Sequence, residues 1–268
     1  MPLADLKSAG SMSPGSFSPT QVAGLVVWYD FADISSLWKD TARTTPVTAD
    51  ADEIRGVTDK SGNAHHLQAS QGATTYPLYK VNIQNGKSVS RHNGNDQVET
   101  VDQITLSNDY TIFQVMSRTS TVNVQNGWDG DVGAGPRNFQ TRLENAANTF
   151  TFLPVPGSGA SATVTISAAG TVDIISITCV SNTVNGAKAY ANGVHGTDAT
   201  PPVTVTTARV YALGSSNTPA AGPAGTVQPI TGDFCEIIQY NTALSAANHN
   251  AVGTYLATKW GKTWTTVT

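Results

Sequence analysis

Residues 172–193 read VDIISITCVSNTVNGAKAYANG, and this stretch decides the fold. Its opening run, Val172–Val180, is rich in Val, Ile and Thr, side chains that suit a buried pleated surface. Asn185-Gly186 and Asn192-Gly193 then bracket the short run Lys188–Ala191. Asn-Gly is the favoured centre of a type I′ hairpin turn, because both positions need positive φ. The stretch therefore predicts strand, turn, strand, turn: a meander. Runs of the same kind recur at Gly24–Asp30, Tyr110–Ser117, Arg137–Glu144, Thr149–Val155, Ala208–Leu213 and Phe234–Tyr240, each bounded by turn residues. Three more Asn-Gly pairs, at Asn85, Asn93 and Asn126, add hairpin candidates.

Composition agrees. The chain has 268 residues, enough for a sizeable core, yet only 13 % are charged, about half the usual ~25 %. Its polar surface is uncharged instead, built from 36 Thr, 22 Ser and 18 Asn. One helix is predicted. Ser245 caps it, Val252, Tyr255, Leu256 and Trp260 form its apolar face, and Gly261 stops it. The expectation is an all-β protein, an antiparallel sandwich with one C-terminal α-helix packed on it and an extended N-terminal arm. Residues 1–21, rich in Ser, Pro, Gly and Ala, are the arm; residues 22–268 are the sandwich domain.

Net charge is −4, and the 15 Lys and Arg are scattered, so neither a nucleic-acid footprint nor a basic face for anionic lipid is expected. No apolar run approaches the ~20 residues of a membrane span, and the first residues lack the pattern of a signal peptide. Cys179 and Cys235 lie in apolar strand runs and are expected as buried free thiols of a chain made in a reducing cytosol.

Four segments carry a family resemblance. Phe17-Ser18-Pro19 with Gly24-Leu25-Val26-Val27-Trp28-Tyr29-Asp30 is similar to an opening "GL-x-x-W-x-D" strand. Asp59-Lys60-Ser61-Gly62-Asn63-Ala64-His65-His66 resembles a "D-x-SGN-x-x-H" turn. Asp173–Val180 followed by Tyr190-Ala191-Asn192-Gly193 resembles a strand pair ending "Y-x-NG". Gly232–Asn241, Ala243-Leu244-Ser245 and Lys259-Trp260-Gly261 resemble "G-x-I-x-E-x-x-x-Y-x-x-ALS…YL-x-x-K-x-G". In this order the chain resembles the LamG-like jelly rolls of the concanavalin A-like lectin/glucanase superfamily, in the form common in bacteriophage and bacterial surface proteins. The resemblance implies a two-sheet antiparallel jelly-roll sandwich over residues 22–268 and a virion component, either a capsid decoration or head-fibre knob, present in multiple copies. It is expected to bind other virion proteins through the arm and host-surface polysaccharide through the sandwich. A tail-fibre or adhesin lectin is the alternative, and a polysaccharide hydrolase the third reading.

Enzymes of the superfamily use paired carboxylates on an E-x-D-x-x-E strand. None of the four Glu (53, 99, 144, 236) has an Asp two residues on, so no enzymatic activity is expected, and Glu236 is read as structural. The ligand-binding candidates are Trp128, Asp129 and Asp131, a Trp face for a sugar ring beside two acceptors that would also suit Ca²⁺; the alternative is that Trp128 folds back onto the sandwich. No cofactor is otherwise expected. His65 and His66 are read as structural. Assembly contacts are expected at Met1, Pro2, Leu3, Leu6, Met12, Phe17 and Trp264.

Overall fold

The computed structural model describes residues 17–70, 73–96, 98–130, 138–145, 147–214, 216–217 and 226–268. Its frame is an eight-stranded antiparallel sheet. From one edge the order is Val194–Ala199, Ala187–Ala191, Asp173–Cys179, Tyr110–Arg118, Thr231–Tyr240, Lys87–Asn93 and Leu78–Gln84. The strand Leu25–Asp30 also pairs with Thr231–Tyr240, along the part that Lys87–Asn93 leaves free. The inner strands are buried along almost their whole length because both faces of this sheet are covered.

One face packs on two smaller sheets. The first runs from Trp128–Asp129 to Leu37–Trp38 through four short strands, and the second joins Ala162–Thr165, Thr149–Leu153, Gln140–Leu143 and Gln125–Asn126. Val27, Ile112, Met116, Ile177, Phe234 and Ile237 of the large sheet meet Leu67, Trp128, Phe150 and Leu213 there, forming the main core of a β-sandwich. The other face carries the helix Ala246–Trp260, whose Val252, Leu256 and Trp260 pack on Phe113, Val115, Ile174 and Ile238. Ser245 Oγ accepts from Asn248 N, and Gly261 ends the helix at φ 65°. The helix is built as its sequence predicts.

A β-bulge at Cys235 shapes the helix side. Phe234 pairs with Met116 and Glu236 with Val115, so one extra residue stands between them. Strict alternation would send Glu236 into the inter-sheet core; the bulge turns it toward the helix instead. Of the five Asn-Gly pairs, Asn85-Gly86 (φ 49° and 69°) and Asn192-Gly193 (φ 52° and 79°) close two-residue hairpins. Asn126-Gly127 does not: a Cβ at Gly127 would stand 2.3 Å from Gln114 Oε1, so glycine serves a close approach there.

The outer edge of Leu25–Asp30 is closed by the turn after Asp59. Asp59 Oδ1 accepts from Trp28 N, Lys60 N donates to Trp28 O, and Ser61 Oγ and Asn63 Nδ2 donate to Val26 O. Asp59 also accepts from Ser61 N and His65 N, which holds the turn in shape.

Candidate functional site

The quoted motifs converge on one buried network. Glu236, with no exposed surface, accepts from Trp28 Nε1 (2.7 Å), Tyr255 Oη (3.0 Å) and Trp260 Nε1 (2.8 Å). Lys259 Nζ bridges Glu236 Oε2 (2.8 Å) and Asp30 Oδ1 (2.7 Å), while Lys60 Nζ binds Asp30 Oδ2 (3.0 Å) and Asp33 Oδ2 (2.6 Å). Burial lifts the Glu236 carboxyl above the usual carboxylate range, against the opposing pull of Lys259. Burial, then the Glu236 charge, pushes the Tyr255 phenol far up. The family-like residues thus join the first strand, the turn, the bulged strand and the helix.

The structure corrects the ligand candidates. Trp128 is fully buried, edge-on to Tyr29 and Tyr211, and donates from Nε1 to Gln239 Oε1 at 2.8 Å. It offers no face to a sugar, because its strand turns the ring into the core between the sheets. Asp129 is equally buried and accepts from Thr141 N at 2.7 Å. Asp131 lies outside the described residues, and no group of three or more metal-ligating side chains occurs among those described.

Two assembly candidates make contacts within their own domain. Phe17 stacks on Tyr255 of its own domain at 5.7 Å, and Ser18 and Gln21 box the following 3-10 turn. Trp264 folds back over Gly253 toward Phe113 and His249, and its Nε1 donates to Asn250 Oδ1 at 2.9 Å. Met1, Pro2, Leu3, Leu6 and Met12 lie outside the described residues. His66 Nδ1 accepts from Asp59 N, and His65 Nδ1 meets Asp102. Both cysteines are buried and free.

A Ser–His–Asp alignment that sequence reading missed stands on the strand Lys87–Asn93. Ser90 Oγ lies 3.3 Å from His92 Nε2, and His92 Nδ1 lies 2.9 Å from Asp96 Oδ1. Each is 1 % exposed, which leaves no approach to Ser90.

The open site lies at the sheet edge beside the helix. Pairing of Ser176 with Tyr190 and Thr178 with Lys188 sets these four side chains on the helix-side face. A cleft of about 320 Å³ runs between three of them, Thr178, Lys188 and Tyr190, and Asn185, Leu244, His249 and Val267. A second, of about 240 Å³, continues past Tyr190 and His195 along residues 265–268. Lys188 and the Tyr190 hydroxyl make no hydrogen bond to the described residues, leaving a cation and a phenol for a ligand. The Tyr190 ring leans on His195 at 5.0 Å, and His195 is held by Asp198 at 2.6 Å. Burial raises the Tyr190 phenol, so it stays a donor. The alternation Lys188-x-Tyr190 was the available signal; its resemblance to a family strand concealed it.

No protein-family model matches the chain, and no curated protein matches it. Solved structures do. Domain 4 of AbnA, a GH43 extracellular arabinanase from Geobacillus stearothermophilus in complex with arabinotriose, is 17 % identical at TM-score 0.56, over 87 % of this chain and 98 % of that one. A sialidase from Trypanosoma rangeli is 11 % identical at TM-score 0.51, over 90 % of this chain; the chain spans 34 % of the sialidase's length. An arabinofuranosidase bound to arabinofuranosyl-xylobiose is 12 % identical at TM-score 0.54, over 78 % of this chain and 51 % of that one. The chain therefore shares a β-sandwich fold with these structures.

These neighbours overturn the expectation that the chain is not an enzyme. Glycoside hydrolases carry the fold, so the missing E-x-D-x-x-E strand removes one mechanism of one branch and not glycan chemistry as such.

Proposed function

We propose that this protein is a lectin-like glycan-binding domain carried on a bacteriophage particle, with the Lys188–Tyr190 groove as its sugar-contacting surface. The groove supports the reading: an unpaired ammonium and phenol converge with Thr178, Thr183 and Asn185 in an open cleft. Hydroxyls and amides suit a polyhydroxylated ligand, and Lys188 favours sugars that bear a carboxylate. At about 320 Å³, near the lower end of the ~300–1,000 Å³ of ligand clefts, it fits a short stretch of a chain rather than an enclosed molecule. The fold neighbours favour glycan over other ligands, and the sequence resemblance favours the particle.

The test is a glycan array followed by calorimetry with the wild type, Lys188→Ala and Tyr190→Phe. Binding to an acidic glycan that falls at least about tenfold in either variant, roughly 1.4 kcal/mol, is expected with unchanged melting. Chain-length analysis of the bound glycan after incubation reads any cleavage. Absence of binding across the array, or binding indifferent to both substitutions, refutes the site. Absence of the protein from purified particles by mass spectrometry refutes the location.

A further inference from the structure

We propose that Lys259 and Asp30 become joined by an intramolecular isopeptide bond, with Glu236 as the proton carrier that allows it to form. The amine lies 2.7 Å from Asp30 Oδ1 and 2.8 Å from Glu236 Oε2. Asp30 is 5 % exposed, Glu236 not at all and the Lys259 side chain 15 %, so the reacting groups are largely withdrawn from water. Trp28, Trp260 and Tyr255 fix the Glu236 carboxylate on both oxygens, which orients it toward the amine. Groups held this way react as one molecule, without the entropy loss of a bimolecular encounter. A buried ion pair also carries a desolvation cost, which a neutral amide removes.

The step balances. The Lys259 ammonium passes one proton to Glu236, and the freed amine attacks Cγ of Asp30, forming the new C–N bond. Negative charge gathers on Oδ2, where Lys60 Nζ stands 3.0 Å away to stabilise it. Glu236 hands its proton to Oδ1, and a second proton leaves nitrogen by the same route. The Cγ–Oδ1 bond breaks and Oδ1 departs as water. An ammonium and a carboxylate become an amide and one water, nothing is oxidised or reduced, and Glu236 ends as it began. The raised proton affinity of buried Glu236 suits a group that must take a proton from an ammonium. Such a bond would tie the first strand of the sandwich to its last helix and enclose nearly the whole domain, the kind of cross-link that most restricts an unfolded chain.

Intact mass spectrometry of the folded, full-length protein, denatured just before measurement, tests this. The expected mass is one water below that of the sequence, with a tryptic fragment linking the Asp30 and Lys259 peptides. Lys259→Arg keeps the charge without a nucleophilic amine and should restore full mass, as should Glu236→Gln. Asp30→Asn should lose ammonia in place of water. Wild type at full mass overturns the proposal, and this reading stands even where a variant fails to fold. A water deficit that persists in Lys259→Arg also overturns it, by placing the dehydration elsewhere, as at Asp129-Gly130.

Discussion

Gly253 sits in the middle of the helix, where alanine is ordinarily favoured by about 1 kcal/mol. Here the sign reverses. A Cβ at Gly253 would stand 2.1 Å from Cε2 of Trp264 and 2.4 Å from Cδ2 and Cζ2. Carbon–carbon contact is comfortable only from about 3.5 Å, so the indole must leave. It gives up its packing on Phe113 and His249 and the bond from Nε1 to Asn250. For a half-buried aromatic the lost burial is about 1–1.5 kcal/mol and the hydrogen bond about 1 kcal/mol more. Subtracting the helical gain leaves Gly253→Ala less stable by about 1–1.5 kcal/mol, a drop of a few degrees in Tm. With Trp264→Ala already in place the steric conflict is gone, and adding Gly253→Ala should restore up to about 1 kcal/mol. Urea unfolding of the four proteins, followed by far-UV circular dichroism, measures the cycle. A higher midpoint for Gly253→Ala in the wild-type background would refute the placement of Trp264 on its own helix.

Three further outcomes are expected. Arg118, 2 % exposed, donates to the carbonyls of Glu144 and Ala147, so Arg118→Met should cost more than about 2 kcal/mol in denaturant unfolding; a neutral result would contradict its role as the clamp of that turn. Burial holds His249 neutral, with its pKa pushed down to about 4, while the unfolded chain takes up a proton near 6.5. Stability from this group is therefore complete above pH 6.5 and is lost as pH falls toward 4, on the order of 3 kcal/mol; His249→Gln should flatten that part of the pH profile, and an unchanged slope would show that other groups cause it. Burial lifts the Cys179 thiol to about 11 and raises Cys235 as well, so both should label slowly with a disulfide reagent at pH 8 until denaturant is added; fast labelling of the native protein would place a thiol at the surface.

The long inner strands and the helix were legible because each carries its own signal. Asp173–Cys179 carries three Ile with only short polar residues between them, and Ser245 and Gly261 mark the helix ends. Asn85-Gly86 marked a hairpin turn, but its strands Leu78–Gln84 and Lys87–Asn93 were not read, since an edge strand with much exposed surface lacks apolar periodicity. Two-residue strands such as Gly56–Val57 exist only through their partners, which no local pattern announces. The Trp128 segment misled for a different reason. Its Gly and Asp read as an exposed loop, but Asp129 is paired inside by Thr141, and Gly127 yields space to Gln114. Polar residues that find their partners in the interior look, in sequence, like residues that face water. The motifs around Glu236 were visible one by one; that they meet at a single carboxylate required the bulge at Cys235.

The turn that follows Asp59 has a consequence for neighbours as well as for the fold. Its amide, hydroxyl and backbone groups occupy the hydrogen-bonding side of Leu25–Asp30 that another strand would otherwise use. An open edge invites strand pairing between copies, which is how concentrated β-proteins grow into fibres. With that side occupied, this strand offers no free edge on which a second copy could pair.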